Sequence, residues 1–350
     1  MKTKKKIRVL FFANIPVQNE ERSIGGATVL AKNILDFLLL DSRIEVSHQQ
    51  IRSFWRNKLQ LIDYVLWIFR FPFLAKKYDV ISFHGTKDFH FTIAPILWLW
   101  SRVLGKRTVY HFFGGNFMDQ YESMPKVFRS ILAMTVLKSD TVFLETLQLM
   151  SFFEARNIKN VKWLPNARKP IHNQIKTRNF ERKFVFISRV IPQKGINEII
   201  EATAKLPDDY LVHIYGPIDD RHYEKSVFKN SNVTYKGTLL PHQIETTLSK
   251  YNVLLLPSYF VGEGYPGIII ESLAMGIPVI ATQWKALPEV IEDGYNGVLV
   301  PVKNSNDLTQ AMLSFTPDNY PEYCRNASES FKKFNSEVVF NRIIESYIKK

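Results

Sequence analysis

Two carboxylates lie on either side of a predicted helix start in the segment from Leu254 to Ala281. Glu263 precedes the start, and Glu271 lies eight residues later among apolar side chains that predict a buried helix. Pro266 in the first turn and Gly276 after the last turn are residues that commonly begin and end helices. The free N–H groups of such a helix start, next to the positive end of the helix dipole, can bind phosphate groups.

The spacing of these carboxylates suits a diphosphate with a sugar on each side. Eight helical residues span about 12 Å. Carboxylates accept paired hydrogen bonds from hydroxyl groups, so we expect Glu271 to hold a ribose and Glu263 a second sugar. An exposed helix position for Glu271 is the alternative, which its apolar neighbours disfavour. The residues expected to contact the phosphates and the nucleoside are Gly264, Tyr265, Pro266, Gly267, Ile268 and Glu271.

Two cations follow the end of another predicted strand, where they border a turn before a helix. Arg189 and Lys194 in this position can neutralise a leaving diphosphate without a metal ion. The alternative is two ordinary surface cations. The acidic pairs Asp208-Asp209 and Asp219-Asp220 are typical of turns, so we expect no metal site and no cofactor besides the substrate.

Polar residues also end predicted strands in the first half of the sequence. His84 and His111 occupy such positions, and Asn116 follows His111 closely. Loops at the carboxyl ends of parallel strands face the ligand in α/β proteins, so these side chains are candidates for the acceptor or sugar side of a site. A structural role is the alternative for each histidine. The pair Gly25-Gly26 precedes a helix predicted at 27–39 and forms a second candidate anion site.

Strands must alternate with helices to bring these residues together. In the first half the pattern predicts strands at 7–13, 44–50, 80–83, 108–112, 141–144 and 161–164. In the second half it predicts strands at 184–188, 211–215, 233–235, 253–256, 278–281 and 298–300. This alternation is typical of parallel sheets with helices on both faces, and 350 residues suit two such domains. The polar segment 166–182 is the expected linker.

The net charge of +13 is unevenly distributed. Residues 1–180 hold 28 Lys+Arg against 13 Asp+Glu, whereas residues 181–350 hold 18 against 20. The first half is therefore expected to meet an anionic partner, either a phosphate-bearing acceptor or an anionic membrane surface. A basic surface without a partner is the alternative. A nucleic-acid-binding protein is disfavoured because no nucleic-acid-binding module is recognisable.

The segment 54–77 mixes aromatic and aliphatic residues with Arg and Lys, including Trp55, Arg56, Lys58, Arg70 and Lys76. It predicts either a helix lying in a membrane interface or a buried helix with a basic rim. The start of the sequence is interpreted as a buried strand instead of a signal peptide, and no membrane-spanning segment is expected. The single cysteine, Cys324, fits a reducing cytosol.

These segments together resemble one family. The stretch from Glu263 to Glu271 resembles the E-x7-E motif of retaining glycosyltransferases of the GT-B fold, in particular those of family 4. The resemblance covers nearly the whole chain and is strong over residues 184–300. The other segments that carry it are Gly25-Gly26-Ala27, Ser188-Arg189 with Lys194-Gly195, the surroundings of His111, Leu287 to Val290, and Gly294 to Gly297.

The resemblance implies two facing Rossmann-like domains with a cleft between them. The acceptor-binding domain would be 1–165, the linker 166–182 and the nucleotide-sugar-binding domain 183–335, with a final helix at 336–350 returning to the first domain. Catalytic roles fall on His111, Glu263, Arg189 and Lys194. Donor binding falls on these two cations and on Gly25, Gly26, Gly264, Tyr265, Pro266, Gly267, Ile268 and Glu271, with His84 and Asn116 beside the sugar or acceptor.

The activity that the resemblance implies is that of a retaining, metal-independent hexosyltransferase (EC 2.4). A UDP- or GDP-linked hexose would pass to a glycan or lipid-linked acceptor in cell-surface polysaccharide synthesis. The expected location is the cytoplasm, with loose attachment to the inner face of the membrane. The alternative is a nucleotide-sugar epimerase of the same fold, which would convert the donor without any acceptor.

Overall fold

The chain divides into two compact units. The computed structural model describes residues 5–18, 20, 23, 25–52, 60–171, 179–219, 221–228 and 233–349. The N-terminal unit comprises Met1–Pro165 together with Glu337–Lys350, and the C-terminal unit comprises Asn166–Ser336. The predicted positions Trp55, Arg56, Lys58 and Asp220 lie outside the described residues.

The described strands of the N-terminal unit form one parallel sheet in the order β2-β1-β3-β4-β5-β6. The strands are β1 (Ile7–Ala13), β2 (Ile44–Gln50), β3 (Val80–Gly85), β4 (Arg107–Phe112), β5 (Thr141–Leu144) and β6 (Val161–Trp163). The helices are α1 (Gly26–Leu38), α2 (Gln60–Ala75), α3 (Lys87–His90), α4 (Ala94–Val103), α5 (Phe117–Ser123), α6 (Lys126–Met134) and α7 (Leu147–Glu154), with a 3-10 turn at Val136–Lys138.

The central strands of this sheet are buried on both faces. All six residues of β3 and all four of β5 are buried, so neither strand alternates between buried and exposed positions, as expected of a parallel sheet covered on both faces. One helix from the end of the chain also belongs here. This helix, α13 (Ser336–Ile348), donates a hydrogen bond from the Tyr347 hydroxyl to Ser82 Oγ of β3 over 2.7 Å.

The C-terminal unit contains a second parallel sheet in the order β12-β11-β10-β7-β8-β9. Its strands are β7 (Lys183–Ile187), β8 (Leu211–Tyr215), β9 (Val233–Tyr235), β10 (Val253–Leu256), β11 (Val279–Thr282) and β12 (Gly297–Val300). Its helices are α8 (Ile196–Thr203), α9 (Ile244–Leu248), α10 (Gly267–Ala274), α11 (Ser305–Leu313) and α12 (Tyr320–Phe331). Its 3-10 turns are Pro192–Lys194, Lys225–Phe228, Pro241–Gln243, Leu287–Glu289 and Lys332–Phe334.

Strand order reverses once in each sheet, and the reversal points mark where ligands bind. In the C-terminal unit β7 lies between β8 and β10, which is the Rossmann arrangement with its switch point at β7 and β10. In the N-terminal unit the corresponding point lies at β1 and β3. Ligands of open α/β sheets bind beyond the carboxyl ends of the strands at such points.

Candidate functional site

The loops after β7 and β10 place a buried ion pair at the switch point of the C-terminal unit. The ammonium of Lys194 lies 2.6 Å from Glu263 Oε2, and each side chain is only 7% exposed. Ser258 Oγ donates a hydrogen bond to the same carboxylate oxygen. Burial lowers the pKa of Lys194, while the negative charge of Glu263 opposes that shift. The pair therefore fixes both groups in a water-poor position where each acts strongly on a bound charge.

Backbone geometry holds the two loops against each other. Gly195, between the turn that carries Lys194 and α8, has φ +80°. A Cβ at this position would lie 2.3 Å from the carbonyl oxygen of Pro257, so only glycine permits this approach. The amide of Tyr259 donates to the carbonyl of Gln193 over 2.8 Å and links the loops a second time.

Phe260 lies under both predicted phosphate-binding cations. The guanidinium carbon of Arg189 is 5.0 Å from the centre of the Phe260 ring, and Lys194 Nζ is 5.1 Å from it. Trp284 Nε1 donates to the carbonyl oxygen of Phe260 over 2.9 Å, which fixes the backbone at Phe260. Arg189 is exposed and has no carboxylate partner among the described residues, so it remains open to an anion.

Helix α10 begins where the sequence predicts. Pro266 is the N-cap, and its carbonyl accepts from the amides of Ile269 and Ile270. The amides of Gly267 and Ile268 precede these first intrahelical bonds, as at the start of any helix. Gly264 and Tyr265 are buried before the cap, and the Tyr265 hydroxyl donates to Glu289. Tyr265 thus has a structural contact with the 3-10 turn Leu287–Glu289.

The Glu271 carboxylate on α10 forms an ion pair with Arg168. Arg168 Nε lies 2.5 Å from Glu271 Oε1, with side-chain exposures of 16% and 26%. The same guanidinium donates to Asn166 Oδ1 over 2.7 Å, and Asn166 Nδ2 donates to the carbonyl of Tyr265 over 3.0 Å. A Cβ on Gly267 would lie 1.8 Å from Arg168 Nη2. Arg168 therefore lies across the first turn of α10.

Sequence analysis missed Arg168, Asn166, Ser258 and Phe260. Arg168 and Asn166 fall in the segment interpreted as a linker, yet both belong to the C-terminal unit. Arg168 and Glu271 are separated by 103 residues, so no local pattern could pair them. Ser258 and Phe260 lie inside the Leu254 to Ala281 segment, where their closeness in sequence to Glu263 is the available signal.

The two histidines predicted for the site, His84 and His111, lie side by side near the ends of β3 and β4. The ring centres of His84 and His111 are 5.5 Å apart, and both residues are 1% exposed. His84 Nε2 lies 2.8 Å from Ser82 Oγ. Neither ring nitrogen of His111 has a hydrogen-bond partner in the part of the chain that the structure describes. Burial lowers the pKa of His111 to about 3, so the ring is neutral at pH 7.

A cavity of about 150 Å³ lies at the switch point of this unit. His84 contributes to its wall, whereas His111 and Asn116 do not. Its wall comprises Asn14, Ala27, Thr28, Arg52, Tyr64, His84, Gly85, Thr86, Phe89 and Phe113. Asn116 instead caps α5 and accepts a hydrogen bond of 2.5 Å from Gln120 Nε2.

Gly25 and Gly26 begin α1 beside this cavity. Gly25 has an extended backbone with φ −159°, and its amide donates to Thr28 Oγ1 over 3.0 Å. The Gly25 amide is therefore not free for the anion that the sequence predicts at this pair, because the Thr28 side chain occupies that donor. A Cβ on either glycine would meet no atom within 4 Å, so space is open in front of both.

No group of three or more His, Cys, Asp and Glu side chains within the described ranges is arranged to hold a metal ion. The site of the C-terminal unit consists instead of cations, carboxylates and a helix start. Diphosphate oxygens match the cations, and hydroxyl groups match the carboxylates.

Comparison with known proteins shows that the C-terminal unit is similar to one family. Residues 167–334 match the sequence model of the family described as "Glycosyl transferases group 1". An uncharacterized glycosyltransferase of Methanocaldococcus jannaschii is 29% identical over 165 residues, which are 46% of this chain and 45% of the relative. The N,N'-diacetylbacillosaminyl-diphospho-undecaprenol alpha-1,3-N-acetylgalactosaminyltransferase of Campylobacter jejuni is 25% identical over 178 residues, 49% of this chain and 46% of that protein. The chain thus spans about half the length of these curated relatives.

Structural comparison extends over both units. The crystal structure of HepE from Anabaena in complex with UDP matches with a TM-score of 0.73 at 16% sequence identity, covering 97% of this chain and 99% of that chain. The predicted α/β architecture with two Rossmann-like domains, the GT-B fold, is therefore confirmed. Residues 167–334, nearly all of the C-terminal unit, are similar to the group 1 glycosyltransferases.

Proposed function

We propose that this protein is a glycosyltransferase that binds a nucleotide sugar in its C-terminal unit and an acceptor in its N-terminal unit. The observation that carries the proposal is the pairing of Glu263 with Lys194 on one side of the α10 start and of Glu271 with Arg168 on the other. The group 1 family match over this unit supports the proposal.

The donor is a UDP- or GDP-linked hexose in this proposal. Its diphosphate binds to Arg189, Lys194 and the amides of Gly267 and Ile268, where the helix dipole adds to the positive potential. The Glu263 carboxylate accepts hydrogen bonds from hydroxyls of the transferred sugar, and the Glu271 carboxylate accepts those of the ribose. The name of the Anabaena structure, which includes UDP, supports a nucleoside diphosphate at this fold's site.

Lys194 and Arg189 have a role in the transfer step of this proposal. As the bond between sugar and phosphate breaks, negative charge grows on the leaving diphosphate. The fixed charges of Lys194 and Arg189 stabilise that charge without reorganisation, which lowers the barrier. A metal ion is not required in this scheme. Retention of the anomeric configuration is proposed on the resemblance of the Glu263 to Glu271 spacing to that of retaining enzymes.

His84, His111 and Asn116 are proposed to serve the acceptor or sugar side. A neutral imidazole can accept a proton or a hydrogen bond from an acceptor hydroxyl, and both His111 ring nitrogens are unpartnered in the described part of the chain. The acceptor is a glycan or a lipid-linked saccharide of cell-surface polysaccharide synthesis. The diphospho-undecaprenol acceptor in the name of the Campylobacter relative supports this class. Loose attachment at the inner face of the membrane is the matching localisation.

Calorimetry with UDP-, GDP- and ADP-sugars tests the donor site. Incubation of the preferred donor with polyprenyl-diphosphate saccharides, with proton NMR of the product, then tests transfer. We expect one donor to bind, one transferred sugar and an α-anomeric product from an α-linked donor. Glu263→Gln should remove transfer. Incubation with donor alone separates transfer from epimerisation, since an epimer formed without acceptor would contradict the proposal, as would the absence of any nucleotide-sugar binding at millimolar concentration.

A further inference from the structure

Helix α2 carries a row of exposed apolar side chains on one face. The six residues are Leu61, Ile62, Val65, Leu66, Phe69 and Phe73. Their spacing of three to four residues puts them on one side of the helix. Tyr64, Phe71 and Ala75 lie on the opposite side and are buried in the core. The structure thus corrects the alternative of a buried helix: one face is buried and the other is apolar yet exposed.

Helix α4 extends this exposed apolar row. Its exposed residues are Ile96, Leu99, Trp100 and Val103, again at helical spacing. Helices α2 and α4 pack side by side. Both bury their inner faces in the same core, α4 through Ala94, Leu97 and Trp98. Their outer faces therefore point away from the same core and form one surface, here called the apolar face. Phe69 is 69% exposed, Phe73 72% and Val103 75%.

Basic side chains border the apolar face at the carboxyl ends of both helices. Arg70, Lys76, Lys77 and Arg102 are exposed. Lys106 Nζ donates to the carbonyl of Lys76 over 3.1 Å, which brings the cations of the two helix ends together. Lys76 Nζ lies 5.6 Å from the ring centre of Phe73, as in a long side chain that runs along apolar surface with its charge at the edge.

Acidic side chains offset only part of this charge, since Asp140 Oδ2 lies 3.6 Å from Arg102 Nη1. Within residues 60–78 and 94–106 the sole acidic residue is Asp63, and it is buried. An apolar strip with a cationic border matches a bilayer that has acyl chains below a negatively charged headgroup layer. A two-fold dimer through this face would instead place the cations of both copies near each other.

We propose that the apolar face of α2 and α4 docks on an anionic lipid bilayer, with its apolar side chains in the headgroup–acyl boundary and Arg70, Lys76, Lys77 and Lys106 at the lipid phosphates. The helices lie flat on the surface, since no described helix is both long and apolar enough to cross a membrane. The inference deepens the proposed function by naming the surface that meets a lipid-linked acceptor, and it rests on that function only for the acceptor's identity.

Vesicle flotation of the full chain tests the docking surface without donor or acceptor. The vesicles contain phosphatidylcholine alone or with about 30 mol% phosphatidylglycerol, at low and high salt. We expect strong flotation with the anionic vesicles at low salt, weaker flotation at high salt and little with phosphatidylcholine alone. The double variant Phe69→Ser/Phe73→Ser should reduce the partition coefficient at least about tenfold.

Val127→Ser/Phe128→Ser is the matched control, because Val127 and Phe128 on α6 are also exposed, at 68% and 50%. It should float like the unmodified chain. Equal melting curves and equal UDP affinity of both variants establish that folding is unchanged.

Three results would overturn the proposal: no flotation with anionic vesicles, flotation that Phe69→Ser/Phe73→Ser leaves intact, or sedimentation showing a dimer that the same variant dissociates. Calorimetry on the same preparation separates this test from the proposed function. Donor binding without flotation would contradict only the proposed docking surface. Flotation without donor binding would contradict only the proposed function.

Discussion

The ammonium of Lys194 and the carboxylate of Glu263 lie 2.6 Å apart although 69 residues separate them along the chain. Both side chains are buried, so removal of either partner leaves an uncompensated charge in a water-poor place. Ser258 provides the carboxylate with a neutral hydrogen bond as well. The pair therefore contributes to the stability of the unit and to its chemistry together.

Lys194→Met should lower the free energy of unfolding of the C-terminal unit by about 3 kcal/mol, because Glu263 then lacks its counter-charge. The double variant Lys194→Met/Glu263→Gln should recover at least half of that loss, since a neutral amide can still bond to Ser258. Urea unfolding of the single and double variants measures this. Equal losses in the two variants would show that the charges are not coupled. Neither variant should transfer sugar.

Arg168→Ala should raise the Kd of the nucleotide about tenfold. The variant removes the charge-assisted bond to Glu271, so the Glu271 carboxylate is no longer held in one orientation. Calorimetry with the preferred nucleotide measures the change. Arg182→Ala is the matched control, since Arg182 forms an exposed ion pair with Asp209 at 2.8 Å in the same unit. Unchanged or tighter binding by Arg168→Ala would mean that the ion pair with Glu271 only competes with the ribose.

Gly195→Ala should destabilise the C-terminal unit more than Gly237→Ala does. Both glycines have positive φ, +80° and +88°, so both variants carry the backbone penalty of about 1–2 kcal/mol. Only the methyl group at residue 195 collides with the Pro257 carbonyl, which adds roughly 1–3 kcal/mol. Denaturant unfolding compares the two variants. If their losses are the same, crowding at Gly195 contributes nothing to the site.

The stability of the N-terminal unit should decrease in acid. Burial lowers the pKa of His90 and of His111 to about 3. Below pH about 6.5 the unfolded chain binds protons at these histidines while the folded chain does not. Stability is therefore full above that pH and falls as the pH decreases toward 3, by about 1.4 kcal/mol per pH unit for each histidine.

Urea unfolding at pH 7, 6 and 5, followed by tryptophan fluorescence, measures this slope, since five of the six tryptophans precede residue 166. His90→Phe should reduce the slope by about 1.4 kcal/mol per pH unit, even though it leaves the Tyr110 hydroxyl without its bond to His90. A slope unaffected by His90→Phe would show that His90 is not held neutral in the fold.

Sugar transfer should persist in excess EDTA. In the proposed scheme Arg189, Lys194 and the α10 start supply the positive potential that a divalent cation supplies elsewhere, so removal of metal should change the rate by less than about twofold. Assays with EDTA, and with added Mg²⁺ or Mn²⁺, measure this. A loss of activity in EDTA that Mn²⁺ restores would contradict metal independence.

Much of the architecture is determined by local sequence. Six predicted strands, at Ile7–Ala13, Ile44–Gln50, Thr141–Leu144, Leu211–Tyr215, Val233–Tyr235 and Val253–Leu256, have the same bounds in the structure. Val253–Leu256, for example, is buried at all four positions and is a continuous apolar run, which is visible without any knowledge of its neighbours. The two ends of α10 are equally predictable from local sequence, because Pro266 and Gly276 restrict the conformation of their own backbone.

The partners of the charged groups were decided by tertiary structure. Glu271 was identified from its apolar neighbours, yet its contact with Arg168 depends on how a segment 103 residues earlier returns to the first turn of α10. The apolar face of α2 likewise looked compatible with burial, because periodicity places residues on a face but does not say whether another element covers it. Long-range packing alone determines which charges meet and which apolar side chains remain exposed.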